Sequence, residues 1–381
     1  MRRGPVLIGV VTSVALMMVG CGTGHPLAKA STTTTASSTT APPLAIWTTE
    51  AIPAGVGDLN DVVCPSVTQC YAVGGMEYST GPGWILGSSD GGKSWTLLNT
   101  TSQTWLAAIA CPTTTTCIAV GGGGGDGVTT VPALLLTTDS GKHWSNEALP
   151  SQIGGILDIA CGSQSVCVVV GNTSNTAEGQ TGIARTTDEG ATWTVETSPT
   201  GLSEIDSVTC STTSFCIIGG AGPGPESSSP SMDSISNDGG ASWTAGVVAS
   251  GPSALGQISC VGPQACIGLV ESGGTNTYGS GSPIMTSDGG RTWKAGSTGV
   301  GEAVSCVMDL CVSVGGRWTD ITNTYPGDAF VSTDSGTDWE PMTISTPYSL
   351  TAVVCLSGVD CVAVGGNFPN PTPGAIFRYG S

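Results

Sequence analysis

The sequence predicts an all-β protein in which one four-stranded unit is repeated seven times around a ring. Two patterns predict it: seven pairs of closely spaced cysteines, and six copies of a short Asp–Gly–Trp motif whose tryptophans lie 46–50 residues apart. A period of this length, built from strand and turn residues, is typical of a supersecondary unit stacked many times. Composition agrees, because only 10% of the residues are charged and 58 of the 381 are glycine.

The first 21 residues (1–21) are predicted to be a lipoprotein signal peptide rather than part of the fold. Arg2 and Arg3 precede an uncharged, mostly apolar run, Pro5–Gly20, which is short for a membrane span. The run ends in MVGC at 18–21, which resembles the lipobox of bacterial lipoproteins, and the resemblance implies lipidation of Cys21. Two alternatives stay open: cleavage by the ordinary signal peptidase, which would give a secreted protein, and an uncleaved signal anchor.

Residues 22–43 are predicted to be a disordered tether rich in serine and threonine. The stretch ASTTTTASSTTAPP at 30–43 has no apolar periodicity and cannot bury a core. It would suit O-glycosylation, although a plain spacer is the simpler interpretation. A single diacylated cysteine ahead of this tether would hold the folded part, 44–381, near a membrane. We therefore expect an exported protein at the outer face of the cytoplasmic membrane, or a secreted one.

Cysteine pairing predicts disulfide bonds and an oxidising compartment. Apart from Cys21, 14 cysteines form seven close pairs, and paired thiols in an exported chain are typical of disulfides. A zinc site needs four clustered ligands, and with only His25 and His143 in the chain this alternative is weak. Each bridge closes a short loop and would contribute about 2–2.5 kcal/mol at most. The predicted bridges are Cys64–Cys70, Cys111–Cys117, Cys161–Cys167, Cys210–Cys216, Cys260–Cys266, Cys306–Cys311 and Cys355–Cys361.

Each cysteine pair is flanked by two predicted strands. Leu59–Cys64 alternates before the first pair, and Cys70–Gly74 follows it and ends in glycine. Four or five residues separate the two cysteines, which is a hairpin-loop length. Facing residues beside such a loop lie about 4.5–5.5 Å apart, within disulfide reach. Each disulfide is therefore expected to close its own hairpin.

The Asp–Gly–Trp motif supplies a second hairpin to each unit. In it, Ser or Thr is followed two residues later by Asp, four later by Gly and seven later by Trp. The Asp can bond amides of its own turn, the Gly can take a positive φ, and the Trp opens the next strand. Two hairpins make a four-stranded unit, which is a propeller blade. The six aspartates are Asp90, Asp139, Asp188, Asp238, Asp288 and Asp334.

This motif resembles the Asp-box, or BNR repeat, of sialidases, sortilin-type receptor ectodomains, xyloglucan-cleaving glucanases and photosystem II assembly factors. The resemblance covers the chain from Ala45 to Ser381 and implies a sialidase-like β-propeller. It says little about function, because Asp-boxes in those families lie on hairpins away from the ligand-binding face.

The blade count follows from the two ends of the chain. There are seven cysteine pairs but only six Asp-boxes, and the last unit stops after Ala375–Ser381 without its own Asp and Trp. Trp47 lies 48 residues before Trp95, so a strand around it can complete that unit. We expect a seven-bladed β-propeller of four-stranded antiparallel blades, closed by the N-terminal strand so that no free sheet edge remains. The predicted blades are 58–100, 105–149, 154–200, 203–249, 254–298, 301–344, and 349–381 with 44–53.

The variable loops are expected to carry the function. In this blade order the disulfide hairpins and Asp-boxes share one face, and the loops after each second strand lie on the other. Three of the ten tryptophans, Trp84, Trp105 and Trp318, fall outside the repeat. An exposed aromatic cluster would suit sugar or protein binding, although such rings can also cover the channel mouth or pack beside a strand. The candidate ligand-binding residues are Glu77, Tyr78, Arg317, Trp318, Asp320, Tyr325 and Asp328.

Catalysis is the alternative hypothesis. The sialidase resemblance requires three arginines around the substrate, but Arg185 and Arg291, two of the four after Cys21, lie at Asp-boxes on the wrong face, so sialidase activity is not expected. A glycoside hydrolase would need two loop carboxylates about 5–9.5 Å apart. Its candidate acids are Glu77, Asp126, Glu178, Glu226, Asp320 and Asp328. The sequence shows no nucleophile elbow, phosphate loop or metal cluster, so we expect no metal and no cofactor.

The net charge of −18 limits the classes of partner that this chain is expected to bind. After Cys21 there are eight basic and 28 acidic side chains, which argues against nucleic acid and anionic lipid surfaces. The arginine-rich patch that photosystem II assembly factors use is also missing. We therefore predict a monomeric, non-catalytic binding module of the cell surface. It would recognise a protein or glycan through its variable loops and contact the membrane only through its lipid anchor.

Overall fold

The computed structural model describes residues 46–76, 81–102, 104–122, 132–173, 181–224, 229–252, 254–271, 281–297, 300–316, 326–357, 360–366 and 373–380. Their strands form seven four-stranded antiparallel sheets arranged in a ring. The chain is a seven-bladed β-propeller, as its sequence predicts. We number the blades one to seven in chain order.

Within a blade, the strands follow one another from the centre of the ring outwards. The first strands are β2 (Leu59–Val63), β6 (Ala108–Ala110), β10 (Ile153–Cys161), β14 (Glu204–Cys210), β18 (Leu255–Cys260), β22 (Ala303–Val307) and β26 (Ser349–Ser357). The second strands are β3 (Cys70–Gly74), β7 (Cys117–Gly121), β11 (Cys167–Thr173), β15 (Cys216–Ala221), β19 (Cys266–Glu271), β23 (Leu310–Gly316) and β27 (Asp360–Gly366).

The outer half of each blade consists of its third and fourth strands. The third strands are β4 (Trp84–Ser88), β8 (Ala133–Thr137), β12 (Thr181–Thr186), β16 (Pro230–Ser236), β20 (Gly281–Thr286), β24 (Gly327–Ser332) and β28 (Ala375–Gly380). The fourth strands are β5 (Thr96–Thr100), β9 (Ser145–Asn146), β13 (Thr194–Val195), β17 (Thr244–Pro252), β21 (Lys294–Ala295), β25 (Glu340–Met342) and, for blade seven, β1 (Ile46–Glu50).

The N-terminal strand β1 completes blade seven. It pairs antiparallel with β28, from Ile46 opposite Gly380 to Glu50 opposite Ile376. The ring of Trp47 lies 5.4 Å from that of Tyr379, measured between centroids. The predicted closure of the ring by the two ends of the chain is therefore confirmed.

All seven predicted disulfides are present, and each closes the hairpin between the first and second strands of its blade. The paired Cα atoms lie 4.0–4.1 Å apart, somewhat closer than the unbridged strand pair we expected. The bridge in blade six spans five residues of sequence, whereas each of the others spans six. Seven disulfides indicate an oxidising, extracytoplasmic environment.

The apolar core lies between neighbouring blades. Each Asp-box glycine packs against the residue that follows the second cysteine of the preceding blade. A Cβ on Gly190 would come within 2.9 Å of Ile118, and one on Gly240 within 2.4 Å of Val168. Both glycines also have positive φ, of 91° and 87°. Glycine is therefore needed here for its backbone conformation and for close packing of the blades.

The first strands of adjacent blades contact one another around the centre of the ring. Within the part of the chain that the structure describes, no helix has the length and apolarity that a membrane span requires.

Candidate functional site

The propeller has two chemically different faces. The hairpin face carries the seven disulfide hairpins, the first at 64–70, and the six Asp-boxes, the first at 88–95. The loop face carries the loops between second and third strands and the connections between blades. Most of the loops on this second face lie outside the described residues, so its described part consists of blade connections and strand ends.

Six of the seven candidate ligand-binding residues lie outside the described residues, as does the lipidation candidate Cys21. The six are Glu77, Tyr78, Arg317, Trp318, Asp320 and Tyr325. The seventh, Asp328, is half-buried on β24, opposite Gly315 of the second strand. Whether these residues come together stays a prediction.

Two of the three tryptophans outside the repeat have structural positions. Trp84 begins β4 opposite Gly74, and its ring lies so close to Gly57 that a Cβ there would come within 2.8 Å of it. Trp105 is 2% exposed, in the connection between blades one and two. The alternative interpretation, that these rings pack beside strands, holds for both.

The Asp-boxes use their aspartates to build the turn. In blade one, Ser88 Oγ donates to Asp90 Oδ1 at 2.8 Å, and the Gly92 amide donates to Ser88 Oγ at 2.9 Å. The Ser94 hydroxyl donates to Asp90 Oδ2 at 2.6 Å, and this bond is the main cause that lowers the pKa of Asp90 to about 2. Trp95 Nε1 donates to the Gly92 carbonyl at 2.9 Å.

In the other five Asp-boxes the aspartate likewise accepts an amide hydrogen bond from its own turn. These carboxylates therefore hold the Asp-box turns together, and this structural role explains the aspartates at these positions.

Two carboxylates on the first strands behave differently. Asp61 Oδ1 accepts the Val62 amide at 2.7 Å, and Asp61 Oδ2 accepts the Ile109 amide of blade two at 2.8 Å. Asp158 repeats the pattern, accepting the Ile159 amide at 2.7 Å and the Val208 amide of blade four at 2.8 Å. Each carboxylate therefore joins the inner edge of its own blade to the inner edge of the next.

The position of these groups inside the ring shifts their protonation. Burial raises the pKa of Asp61 to about 7, against the lowering effect of its two amide bonds. Burial raises the pKa of Asp158 to about 8, and the negative charge of Asp61 adds to the shift. The two carboxyl groups are thus coupled electrostatically inside the ring.

Hydroxyl groups make the same kind of link at four other blade junctions. They either donate to a carbonyl or accept an amide of the next first strand, which satisfies polar groups at an otherwise unpaired sheet edge. The pairs are Ser207 to the Gly256 carbonyl, the Cys306 amide to Ser259, the Cys355 amide to Ser305, and Thr351 to the Leu59 carbonyl.

The described acidic residues lie both at the centre of the ring and in the outer parts of the blades, whereas the described basic residues are absent from the first strands. Acidic residues lie on the first strands or directly before them: Asp58, Asp61, Asp158, Glu204, Asp206 and Glu302. No lysine, arginine or histidine lies on any of the seven first strands. The described basic residues lie on third or fourth strands or in Asp-boxes, and they are Lys93, Lys142, Arg185, Arg291, Lys294 and Arg378.

Sequence reasoning missed the central carboxylates. A single acidic residue in one repeat is usually solvent-facing, and Asp61 and Asp158 take on their role only because a neighbouring blade presents an amide. Alignment of the seven first strands would have placed both at the third position before the cysteine, where other blades have alanine, serine or glutamine.

Comparisons with known proteins support the fold. No protein-family model and no curated protein sequence matches the chain. Among solved structures, YCF48 bound to D1 peptide is similar with a TM-score of 0.60 and 15% identity, over 88% of this chain and 97% of that one. The WD40 repeats of RRP9 are similar with a TM-score of 0.58 and 9% identity, over 88% and 97%.

A glycoside hydrolase is also among the similar structures. The GH74 xyloglucanase from Xanthomonas campestris is similar with a TM-score of 0.57 and 16% identity, over 84% of this chain and 52% of that one. The chain thus spans about half the length of that enzyme. At these identities the similarity shows a β-propeller fold, which is shared by binding proteins and by hydrolases.

Proposed function

We propose that this chain is a non-catalytic binding protein that recognises a basic segment of a protein partner at its loop face. The observation that carries the proposal is the sign of the charge at the centre of the ring. Asp58, Glu204, Asp206 and Glu302 lie on or beside the first strands, in addition to Asp61 and Asp158, which their raised pKa values leave at least half protonated at pH 7, and no basic residue lies on those strands. A site lined by one sign of charge attracts and orients ligands of the opposite sign.

The loop-face ends of the first strands are the accessible part of this acidic region. Glu204 begins β14 and Glu302 directly precedes β22, and both side chains are exposed. Variable loops surround these positions, while the opposite face is fixed by disulfides and Asp-box turns. A lysine- or arginine-bearing segment fits this end of the ring better than a neutral glycan does.

The similar structures favour the same interpretation. YCF48, which matches over almost its full length, is described as bound to a peptide, whereas the chain spans only half of the GH74 enzyme. The two carboxylates with strongly raised pKa values, Asp61 and Asp158, both hold backbone amides. These bonds support a structural role for them rather than a role as an acid–base pair.

The proposed location is the cell envelope. Lipidation of Cys21 and a tether over residues 22–43 would leave the propeller at the membrane surface and able to rotate towards a partner. Mass spectrometry of the purified native protein tests this part, because a diacylated N-terminal cysteine has a mass that a free one lacks.

The binding proposal is tested with an array of overlapping peptides from the exported proteins of the producing organism. We expect bound peptides to be enriched in lysine and arginine, and binding to weaken at least about tenfold in the variant Glu204→Lys/Glu302→Lys. The matched control, Asp338→Lys/Glu340→Lys, makes the same change of charge at exposed residues away from the first strands and should bind normally. Equal losses in both variants, or binding of glycans alone, would contradict the proposal.

A further inference from the structure

Blades five and six leave a cavity between them on the hairpin face. Its volume is about 440 Å³. Two rim residues, Val261 and Met308, are 42% and 69% exposed, which is high for large apolar side chains. Mostly apolar cavities of roughly 300–1,000 Å³ with a few polar groups are typical of ligand sites. The residues that line the cavity include Val261, Ala265, Met285, Lys294, Met308 and Ser335.

The cavity exists because one side chain is small. The residue before the second cysteine of a hairpin faces the Asp-box of the next blade. In blade four this residue is Phe215, whose ring would lie 3.3 Å from a Cβ on Gly289 of blade five. In blade five the same position is Ala265, which lines the cavity together with Ser335 of blade six. The space that an aromatic ring fills at one junction is therefore open at the next.

The hairpin of blade six adds an apolar edge to this space. Its cysteines are five residues apart in sequence, one fewer than in every other blade. Met308 lies in this short turn with a φ of 55°, a left-handed conformation that is uncommon for a non-glycine residue. The turn presents the flexible thioether side chain at the rim, and such side chains adapt to differently shaped apolar ligands.

One positive charge lies beside these apolar walls. Lys294, on β21, is exposed and has no ion-pair partner among the described residues. The carboxylate of Asp309, which also lines the cavity, accepts the Ser335 hydroxyl at 3.1 Å. The cavity thus combines an apolar space with one ammonium, from Lys294, and one carboxylate, from Asp309, that form no ion pair with each other.

We propose that this cavity binds a bulky apolar side chain of a protein partner, with a neighbouring Asp or Glu of that partner paired to Lys294. An apolar anchor in a pocket, bordered by a charged rim, is the usual form of an interaction hot spot. The site lies on the opposite face from the acidic region and uses none of its residues. Failure of one proposal therefore leaves the other standing.

The test uses the full chain labelled with ¹³C-methyl methionine, because Met285 and Met308 both line the cavity. Leucine variants assign the two resonances. We expect both to shift saturably with the dipeptide Ac-Phe-Asp-NH₂, and at least about fivefold weaker binding of Ac-Ala-Asp-NH₂ and of Ac-Phe-Lys-NH₂. Lys294→Ala should remove the preference for Asp over Lys, whereas Lys142→Ala, in the Asp-box of blade two, should not.

The most direct test is a variant whose larger side chain fills the cavity. Ala265→Phe copies the arrangement of Phe215 and should abolish both methionine shifts while the protein stays folded. If that variant does not fold, Ala265→Val copies Val166 of blade three, which packs against Gly239, and should weaken binding. Methionine shifts that are absent in the wild-type protein, or unchanged by either filling variant, would overturn the proposal. Equal binding of the Asp and Lys dipeptides would overturn the role of Lys294.

Discussion

The indole Nε1 of Trp293 donates to Asp233 Oδ2 at 3.0 Å across the junction between blades four and five. In four other blades the equivalent indole donates to a glycine carbonyl of its own Asp-box. Asp233 is 1% exposed and occupies the third-strand position where Ile85 and Ile183 lie in blades one and three. Blade four therefore has a buried carboxyl group where blades one and three have an aliphatic side chain. The Trp293 indole donates to this carboxyl group instead of to a glycine carbonyl of its own Asp-box.

We expect Asp233→Ile to raise the free energy of unfolding at pH 8 by about 1–3 kcal/mol. The variant removes a buried carboxyl group whose ionisation is disfavoured by burial, and Trp293 can return to the Gly290 carbonyl. Urea unfolding measures the change. The exposed Asp338→Asn serves as the control and should stay within about 0.5 kcal/mol of wild type. A variant less stable than wild type at pH 8 would show that the bond to Trp293 outweighs the burial of the charge.

The same residue makes a pH-dependent contribution. Burial raises the pKa of Asp233 above 3.8, so at pH values between the unfolded and folded pKa the folded protein holds a proton that the unfolded chain releases. Its stabilising contribution is complete at low pH and is lost as the pH rises through the folded-state pKa. Asp233→Ile should therefore gain more stability over wild type at pH 8 than at pH 4, and an equal gain at both would contradict the shift.

The raised pKa values of Asp61 and Asp158, at the centre of the ring, lead us to expect a second effect of pH on the free energy of unfolding. Their pKa values are raised from 3.8 to about 7 and about 8. The free energy of unfolding should fall as the pH rises from about 4 to 8, by at most about 1.4 kcal/mol per pH unit for each group. Ala108 occupies the equivalent position in blade two, so Asp61→Ala/Asp158→Ala is compatible with the strand and should flatten the slope. Urea unfolding across this pH range shows whether it does.

Each disulfide should contribute a similar, modest amount. Replacing Cys161 and Cys167 with alanine removes a bridge that spans six residues, and the loop-entropy estimate is a loss of about 2 kcal/mol. The bridge of blade six, which spans five, should differ from this by only a few tenths of a kcal/mol, because the effect is logarithmic in loop length. Denaturant unfolding of both variants compares them directly, and a loss above about 5 kcal/mol in either would point to a role beyond loop closure.

The N-terminal strand β1, which closes the ring, should contribute substantially to the free energy of unfolding although it is short. Trp47→Ala removes the ring that contacts Tyr379, and we expect a loss of about 2–3 kcal/mol, below the range for a fully buried tryptophan. Ile46→Ala, at a side chain that is 61% exposed, is the control and should have little effect.

Deletion of 46–50 would uncover the edge of β28 and should cause concentration-dependent self-association, which light scattering detects. A monomeric, fully stable deletion variant would contradict the closure.

Much of the fold could be predicted because the repeat fixes positions independently of side-chain contacts. The distance from Trp47 to Trp95, together with the missing Asp-box of the seventh unit, predicted that the chain ends meet in one blade. The links between blades could not be predicted, because the roles of Asp61 and Asp233 depend on which amide or indole the next blade presents. The loop residues Trp318 and Tyr325 stay predictions, since they lie outside the described residues.

Site-specific photo-crosslinking in producing cells tests the central claim, that the loop face binds a protein, most directly. Benzoylphenylalanine is placed at Pro82 or Pro373, exposed on the loop face, and at Thr114, exposed on a disulfide hairpin of blade two. We expect one protein adduct from both loop-face positions, its loss in the Glu204→Lys/Glu302→Lys variant, and no such adduct from Thr114. An adduct from Thr114 alone, or a loop-face adduct that survives the charge reversal, would contradict the account.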